Sequence, residues 1–325
     1  MSTEPDISEI GSGKFLTDSV ADSPSPPSGI VAQPTRYQLE TYYYREVYLN
    51  GEFVPFVEAR VPIMDRGFLF GDGVYELIPV YGGRPFRLSQ HMARLDNSLR
   101  SIRMENPLHP DAWEQIFARL TGSTSDVDQL LYLQVTRGMD RIRNHLFPQT
   151  IAPTVFVMAW TAEPRDPDIS AKGIAAVVLE DNRWHRCDIK ATALLGNVLL
   201  RQAAEDAGAD EAILVRDGLV TEGSSTNPFV VRGGEILTPP ASNRLLRGIT
   251  RDLVLELARG ANLPCAERHI TRDELETADE LWICSSSREI QPVTLLDGKP
   301  VGKGMPGAAL WRRMDDLFQD YKHSW

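Results

Sequence analysis

Arg183-Trp184-His185-Arg186-Cys187-Asp188-Ile189-Lys190 ends on a lysine and runs at once into Ala191-Thr192-Ala193-Leu194-Leu195-Gly196-Asn197, where a helical pattern begins. A lysine between a segment of alternating charged and apolar residues and a glycine-marked helix start can point into a closed site instead of trailing in water. Lysines in such sites lose proton affinity and become nucleophiles. Taken alone, the octapeptide reads more simply as a solvated surface segment. Three further stretches weigh against that reading. They are Asp65-Arg66-Gly67-Phe68-Leu69-Phe70-Gly71-Asp72-Gly73-Val74-Tyr75-Glu76, then Thr221-Glu222-Gly223-Ser224-Ser225-Thr226-Asn227 after a strand-turn-strand pattern, and Leu246-Arg247-Gly248-Ile249-Thr250-Arg251 at the opening of a helix.

Together the four stretches closely resemble the pyridoxal-phosphate aminotransferases of fold type IV, and within them the bacterial D-amino-acid aminotransferases. The likeness runs from about Tyr48 to the C-terminus. It implies a two-domain, mixed α/β (α+β) architecture, pyridoxal 5'-phosphate as cofactor, and a homodimer whose subunits share active sites.

Composition agrees with an enzyme of this kind. The 325 residues suffice for two domains, and 42% apolar with 24% charged residues is the balance of a soluble globular chain. A formal net charge of -11 argues against a general nucleic-acid or anionic-membrane binder. No apolar run reaches the length of a membrane span, and the N-terminus has neither a basic start nor an apolar core of a secretion signal. Cys187, Cys265 and Cys284 are few, odd in number and without metal-ligand spacing, so no metal is expected and a cytoplasmic setting is the simplest. Cys187 is expected to be a small buried filler.

In chain order, residues 1–36 form a Ser- and Pro-rich tail that cannot bury enough apolar surface to order itself. A smaller domain is expected over 37–162, a linker over 163–168 around Pro164-Arg165-Asp166-Pro167-Asp168, and a larger cofactor-binding domain over 169–325. Asn50-Gly51 signals a hairpin between Val47-Tyr48-Leu49 and Phe53-Val54-Pro55-Phe56. The glycine-rich stretch leads into a strand from Leu77 to Tyr81, and Ser89 opens a helix with apolar contacts at Met92, Leu95, Leu99 and Ile102. Helices are expected over 111–120, 196–207, 249–259, 272–277 and 307–321, and strands over 130–136, 154–160, 175–179, 212–216, 219–221, 228–231, 236–237, 266–270 and 281–284.

Transamination needs an amine that condenses with the cofactor's aldehyde and then shuttles a proton; Lys190 is the choice for both roles. The cofactor ring needs a carboxylate that keeps its nitrogen protonated, and Glu222 matches the family's glutamate. By the resemblance, Arg94 binds the phosphate with Gly248, Ile249 and Thr250 at a helix start and with Ser286, while Ser225 and Leu246 complete the cofactor site. Arg183 is expected to support these residues from behind. Tyr75, Arg143, His145 and Ser287 would bind substrate. Arg143 and His145 match the D-acid family's Arg-x-His, which grips the substrate carboxylate and reaches the partner subunit's site. Met139-Asp140-Arg141-Ile142 and His185 depart from the family's pattern and bear on side-chain preference. Branched-chain L-amino-acid aminotransferases, (R)-amine transaminases and aminodeoxychorismate lyase share the fold, and a cofactor-binding protein with little turnover is the reading of another class; Arg143-Asn144-His145 separates the D-acid reading from its fold relatives.

Overall fold

Asn50 and Gly51, at φ of 50° and 100°, turn the chain between β1 (Val47–Leu49) and β2 (Glu52–Val54), as the Asn-Gly pair predicts. The computed structural model describes residues 46–122, 127–167, 172–302 and 309–325. The tail expected over 1–36, and Asp168 at the end of the expected linker, lie outside the described residues.

The stretch from Asp65 to Glu76 holds more structure than its glycines suggest. Asp65 accepts the Gly67 N–H at 2.8 Å and caps α1 (Arg66–Phe70), which Gly71 ends at φ 66°. β3 then begins at Gly73, not at Leu77, and runs to Tyr81. Strand geometry therefore puts Tyr75 and Glu76 on opposite faces. After β4 (Arg84–Pro85) comes α2 (Leu88–Ser101), then α3 (Pro110–Thr121), β5 (Gln129–Thr136) and β6 (Thr154–Thr161). Ser89 is not the cap of α2. Arg87 takes that place at φ 52°, held by two 2.7 Å bonds to Glu256, and Ser89 bonds the side chain of Gln90 instead. The first six strands form an antiparallel sheet in the order β2-β1-β6-β5-β3-β4. Leu95 and Leu99 of α2 and Trp113 and Phe117 of α3 pack on one face of it, over Val74, Ile78, Leu131 and Leu133.

The later strands make a second, mixed sheet. It contains β7 (Ile174–Glu180), β8 (Glu211–Arg216), β9 (Leu219–Gly223), β10 (Asn227–Arg232), β11 (Glu235–Thr238), β12 (Cys265–Glu267), β13 (Glu280–Ser285), β14 (Glu289–Leu296) and β15 (Lys299–Pro300). Its order is β12-β11-β10-β13-β14-β7-β8-β9, with β15 beside β14. The ends approach each other where the Val220 N–H donates to the Ile270 carbonyl at 2.9 Å, so Val215, Val230, Leu281 and Ile283 share an enclosed core. Outside lie α4 (Leu195–Asp206), α5 (Ile249–Gly260), the short α6 (Arg272–Glu276) and α7 (Ala309–Ser324). The expected strand over 266–270 shortens and starts at Cys265. β14 has no counterpart in the sequence reading, because Gln291, Pro292 and Thr294 interrupt its apolar pattern although it lies between β13 and β7. Among the described residues no helix is long and apolar enough to cross a membrane, and no group of His, Cys, Asp and Glu could hold a metal ion.

The two sheets meet at the lysine segment. The Tyr75 N–H donates to the Lys190 carbonyl at 3.0 Å and the Thr192 N–H to the Gly73 carbonyl at 3.0 Å, while Ile189 and Ala191 are buried in the core of the first sheet. This approach requires the glycines. A Cβ on Gly71 would lie 3.0 Å from the Ala193 Cα, and one on Gly73 would lie 2.8 Å from the Val135 carbonyl and 3.2 Å from Thr192 Oγ1. Gly73→Ala should accordingly cost about 2 kcal/mol or more in urea denaturation. Gly82→Ala, at φ 54° with open space around it, should cost only about 1 kcal/mol. Equal losses at the two positions would contradict crowding of Gly73 between β5 and the lysine segment.

Candidate functional site

Lys190 enters the site from the seam. Its backbone is fixed on both sides: the Lys190 N–H donates to Ser98 Oγ at 3.3 Å and its carbonyl accepts from Tyr75. The side chain, half-buried, carries Nζ 4.2 Å from the centre of the Tyr75 ring. The amine faces a cavity of about 580 Å³ whose walls include Tyr75, Arg183, Lys190, Glu222, Ser225 and Leu246. Of the charges expected around the lysine, Arg186 and Asp188 pair with each other at 3.0 Å, and only Arg183 turns towards the cavity. Cys187 is buried, and burial pushes its thiol up to about 11, the behaviour of an inert filler.

Glu222 lies in β9 with 6% exposure. Its Oε1 accepts from Arg183 Nη1 at 2.5 Å and its Oε2 from the Leu246 N–H at 2.8 Å. Burial pushes the carboxyl up to about 7, against the pull of Arg183 and of the Leu246 N–H. It is thus a carboxylate poised to exchange or share a proton near neutral pH.

A second group of residues gathers at the N-terminus of α5. Arg94 is clamped by Glu76, with Nε to Oε1 and Nη2 to Oε2 both at 2.8 Å, and its Nη1 reaches the Arg247 carbonyl at 3.0 Å. Beyond these three bonds, one N–H remains on each of Nη1 and Nη2. His91 Nδ1 adds a 2.7 Å contact to the same buried Glu76, which Arg94 and His91 hold down to about 2 in spite of its burial. Gly248 is the N-cap of α5 without a side-chain cap bond, and Ile249 and Thr250 follow in its first turn. Asn227 sets this turn: its Nδ2 donates to the Leu246 carbonyl at 2.9 Å, and a Cβ on Gly248 would collide with its Oδ1. Asn227 also pairs with Cys284, which brings the Ser285–Ser287 turn alongside, with Ser286 half-buried and Ser287 exposed. Arg94, Gly248, Ile249, Thr250, Ser286 and Ser287 do not line the 580 Å³ cavity. Arg94 and the start of α5 are tied to it through Leu246 and Asn227, and β13, paired with Asn227, carries the chain on to Ser286 and Ser287.

Arg143 and His145 stand elsewhere. Both are exposed, and neither lines the cavity. Arg66 grips the backbone of their loop, with Nη1 2.6 Å from the Asn144 carbonyl and Nη2 3.4 Å from the His145 carbonyl, while Phe70 packs 5.2 Å from the His145 ring and 5.0 Å from the Arg143 guanidinium. Glu76, His91, Asn227 and Asn197, a cavity-lining residue whose Nδ2 donates to the Ser224 carbonyl at 2.8 Å, do not stand out in the sequence. The available signal for the first two was a lone acid in an apolar strand and a His-x-x-Arg pair on one helix face.

Comparison with known proteins places these features in a family. Residues 73–296 match the model of the family described as amino-transferase class IV. The D-alanine aminotransferase of Bacillus licheniformis is 41% identical over 263 residues, covering 81% of this chain and 92% of that protein. The D-alanine aminotransferase of Staphylococcus aureus (strain MSSA476) is 38% identical over 279 residues, 86% of this chain and 98% of its own. Among solved structures, the branched-chain amino acid aminotransferase of Escherichia coli superposes with a TM-score of 0.78 at 26% identity, covering 85% of this chain and 94% of that one. The branched-chain aminotransferase of the thermophilic archaeon Thermoproteus uzoniensis, solved with norvaline, gives 0.76 at 27% identity, covering 86% and 95%.

The raised proton affinity of Glu222 has a signature in stability. A carboxyl whose folded value lies above its ordinary 4.5 weakens the fold as pH rises through the interval up to about 7, because the folded chain must ionise it in a costly place. Without added cofactor, Glu222→Gln should gain on the unsubstituted chain by on the order of 3 kcal/mol between pH 4.5 and 7.5. Chemical denaturation at several pH values measures the difference. A difference independent of pH would mean that Glu222 is ionised at no cost.

Proposed function

The chain belongs to the amino-transferase class IV family, and on that premise we propose that it moves amino groups between D-amino acids of the D-alanine and D-glutamate type and 2-oxo acids such as 2-oxoglutarate or pyruvate. The residues fit pyridoxal 5'-phosphate. An amine, a buried carboxylate and an uncapped helix start beside an arginine are the three groups that an aldehyde, a ring nitrogen and a phosphate require. Gly248 leaves the turn free of a Cβ, and Arg94 retains two N–H groups for an anion. When bound, the cofactor supplies the electron sink for breaking a bond at the amino acid's α-carbon.

The chain's own residues do the rest. Lys190 Nζ would hold the cofactor's aldehyde and, as a free amine, would carry the proton removed from the substrate's α-carbon. Tyr75 packs under that amine and narrows its paths. Glu222 would hold the ring nitrogen, and Ser225 and Leu246, which line the cavity with it, would hold the ring. Arg94, Gly248, Ile249, Thr250 and Ser286 would hold the phosphate, and Ser287 would meet the substrate. Arg183 keeps Glu222 oriented.

The observation that carries the D-amino-acid reading is the Arg143-Asn144-His145 loop, held by its carbonyls with its side chains exposed and off the chain's own cavity. A loop so placed suits a homodimer in which it meets the partner's site and takes the substrate carboxylate. The two expected domains correspond in this reading to the two sheets. A cytoplasmic setting suits three free cysteines. The branched-chain structural relatives support a second reading, transamination of L-amino acids, and one experiment separates the two. Purified holoenzyme given D-alanine and 2-oxoglutarate should release pyruvate, and L-alanine or L-leucine should not react. Arg143→Ala should cost about 2 to 4 kcal/mol in kcat/KM for D-alanine and much less for an (R)-amine without a carboxylate. A preference for L-substrates would overturn the D-acid reading, and equal losses for both substrate types would remove Arg143 from the substrate.

A further inference from the structure

Glu222 does not meet Arg183 in isolation. Behind Arg183 lies Asp181, buried at the end of β7, with both carboxylate oxygens engaged. Arg183 Nε donates to Oδ1 and Nη2 to Oδ2, each at 2.9 Å, Thr221 Oγ1 donates to Oδ2 at 2.8 Å, and Arg216 Nη2 lies 2.9 Å from Oδ1. Arg216 is also buried, and it donates to the Asp181 and Arg183 carbonyls at 3.0 and 2.8 Å. Four buried side chains thus alternate in charge, Arg216, Asp181, Arg183 and Glu222, and the line ends on the cavity.

The geometry divides the labour. Asp181 takes the Nε–Nη2 edge of the Arg183 guanidinium with two parallel bonds, so its plane is fixed and Nη1 is turned to meet Glu222. Asp181 stays ionised: burial would raise its carboxyl, but the Arg183 bonds hold it below its ordinary value. Without that negative charge, a bare guanidinium at 2.5 Å would draw the basicity out of Glu222. Such a cluster is a poor source of net stability, since apolar packing of equal volume serves as well. Its consequence is electrostatic, at the group it ends on.

We propose that Asp181 is a positioning residue for the transamination: by fixing and offsetting the charge of Arg183 it sets the proton affinity of Glu222, with Arg216 as the opposing weight. Its effect on the cofactor rests on the reading of Glu222 given above. The other titratable and charged groups nearby are Cys187, a neutral thiol on the same cavity wall, His185, whose Nδ1 lies 3.4 Å from Arg216 Nη1, Lys190 across the cavity, and Arg201 and Glu205 of α4, which pair with each other at 3.1 Å.

The test uses two substitutions of opposite sign. Asp181→Asn adds one positive charge to the line and Arg216→Gln removes one. In the chain freed of cofactor, the Glu222 carboxyl is titrated by difference infrared spectroscopy, its band assigned by subtraction of Glu222→Gln. Asp181→Asn should lower the midpoint by about one pH unit, Arg216→Gln should raise it by a similar amount, and the double variant should return close to the starting value. Midpoints that stay put, or that move the same way in both variants, overturn the proposal. Should Asp181→Asn fail to fold, Arg216→Gln decides alone, since an unchanged or lowered midpoint overturns it. With pyridoxal 5'-phosphate bound, the pH midpoint of the visible absorbance should follow the same opposite signs. If the carboxyl shifts and the absorbance does not, the role of Asp181 stands and the placement of Glu222 against the cofactor ring fails.

Discussion

Two backbone hydrogen bonds between β3 and the lysine segment hold the molecule's chemistry in place. They bring the two segments close together at Gly71 and Gly73, where a Cβ would crowd Ala193 and the Thr192 hydroxyl. Everything functional hangs from that contact. Lys190 belongs in sequence to the second sheet, yet its neighbours Ile189 and Ala191 are buried in the core of the first. The lysine is therefore immobilised by both halves at once, and its side chain has one direction left, over the ring of Tyr75 and into the cavity.

Around this seam the charged groups are distributed with a common economy. Three arginines around the site are anchored by acids that do not line the cavity: Arg94 by Glu76, Arg183 by Asp181, Arg66 by Asp72 at 2.8 Å. A buried guanidinium without a partner would be costly, whereas one tied to a carboxylate presents its remaining N–H groups in fixed directions. The three arginines thereby aim at three different targets: the start of α5, the carboxylate of Glu222 and the carbonyls of the Arg143 loop.

The parts legible in the sequence were those whose geometry is set within a few residues. Gly248-Ile249-Thr250 reads as a helix start because a helix N-terminus is a local object, and Glu222 reads as the end of a hairpin strand because Asp217-Gly218 marks the turn before it. The partners of these residues were not legible. Asp181, with Arg183 two residues on, looks like an ordinary loop acid until the pairing of β7, β8 and β9 brings Arg216 and Thr221 around it, and no spacing in the chain encodes that register. β14 escaped notice because Pro292 is a poor strand residue, and it holds its place through pairing with Trp282 on β13. Arg143 and His145 were legible as residues but not as positions: both are exposed and off the cavity, and no spacing in the chain says which site they serve.

The proposed chemistry requires that Lys190, and no other lysine, carry the cofactor. Reduction of the holoenzyme with borohydride fixes pyridoxal phosphate to whichever amine bears it, and a proteolytic map with mass spectrometry locates the adduct. Modification of Lys190 alone is predicted, with the adduct absent from Lys190→Ala treated in the same way. An adduct on a different lysine in the unsubstituted enzyme would contradict it.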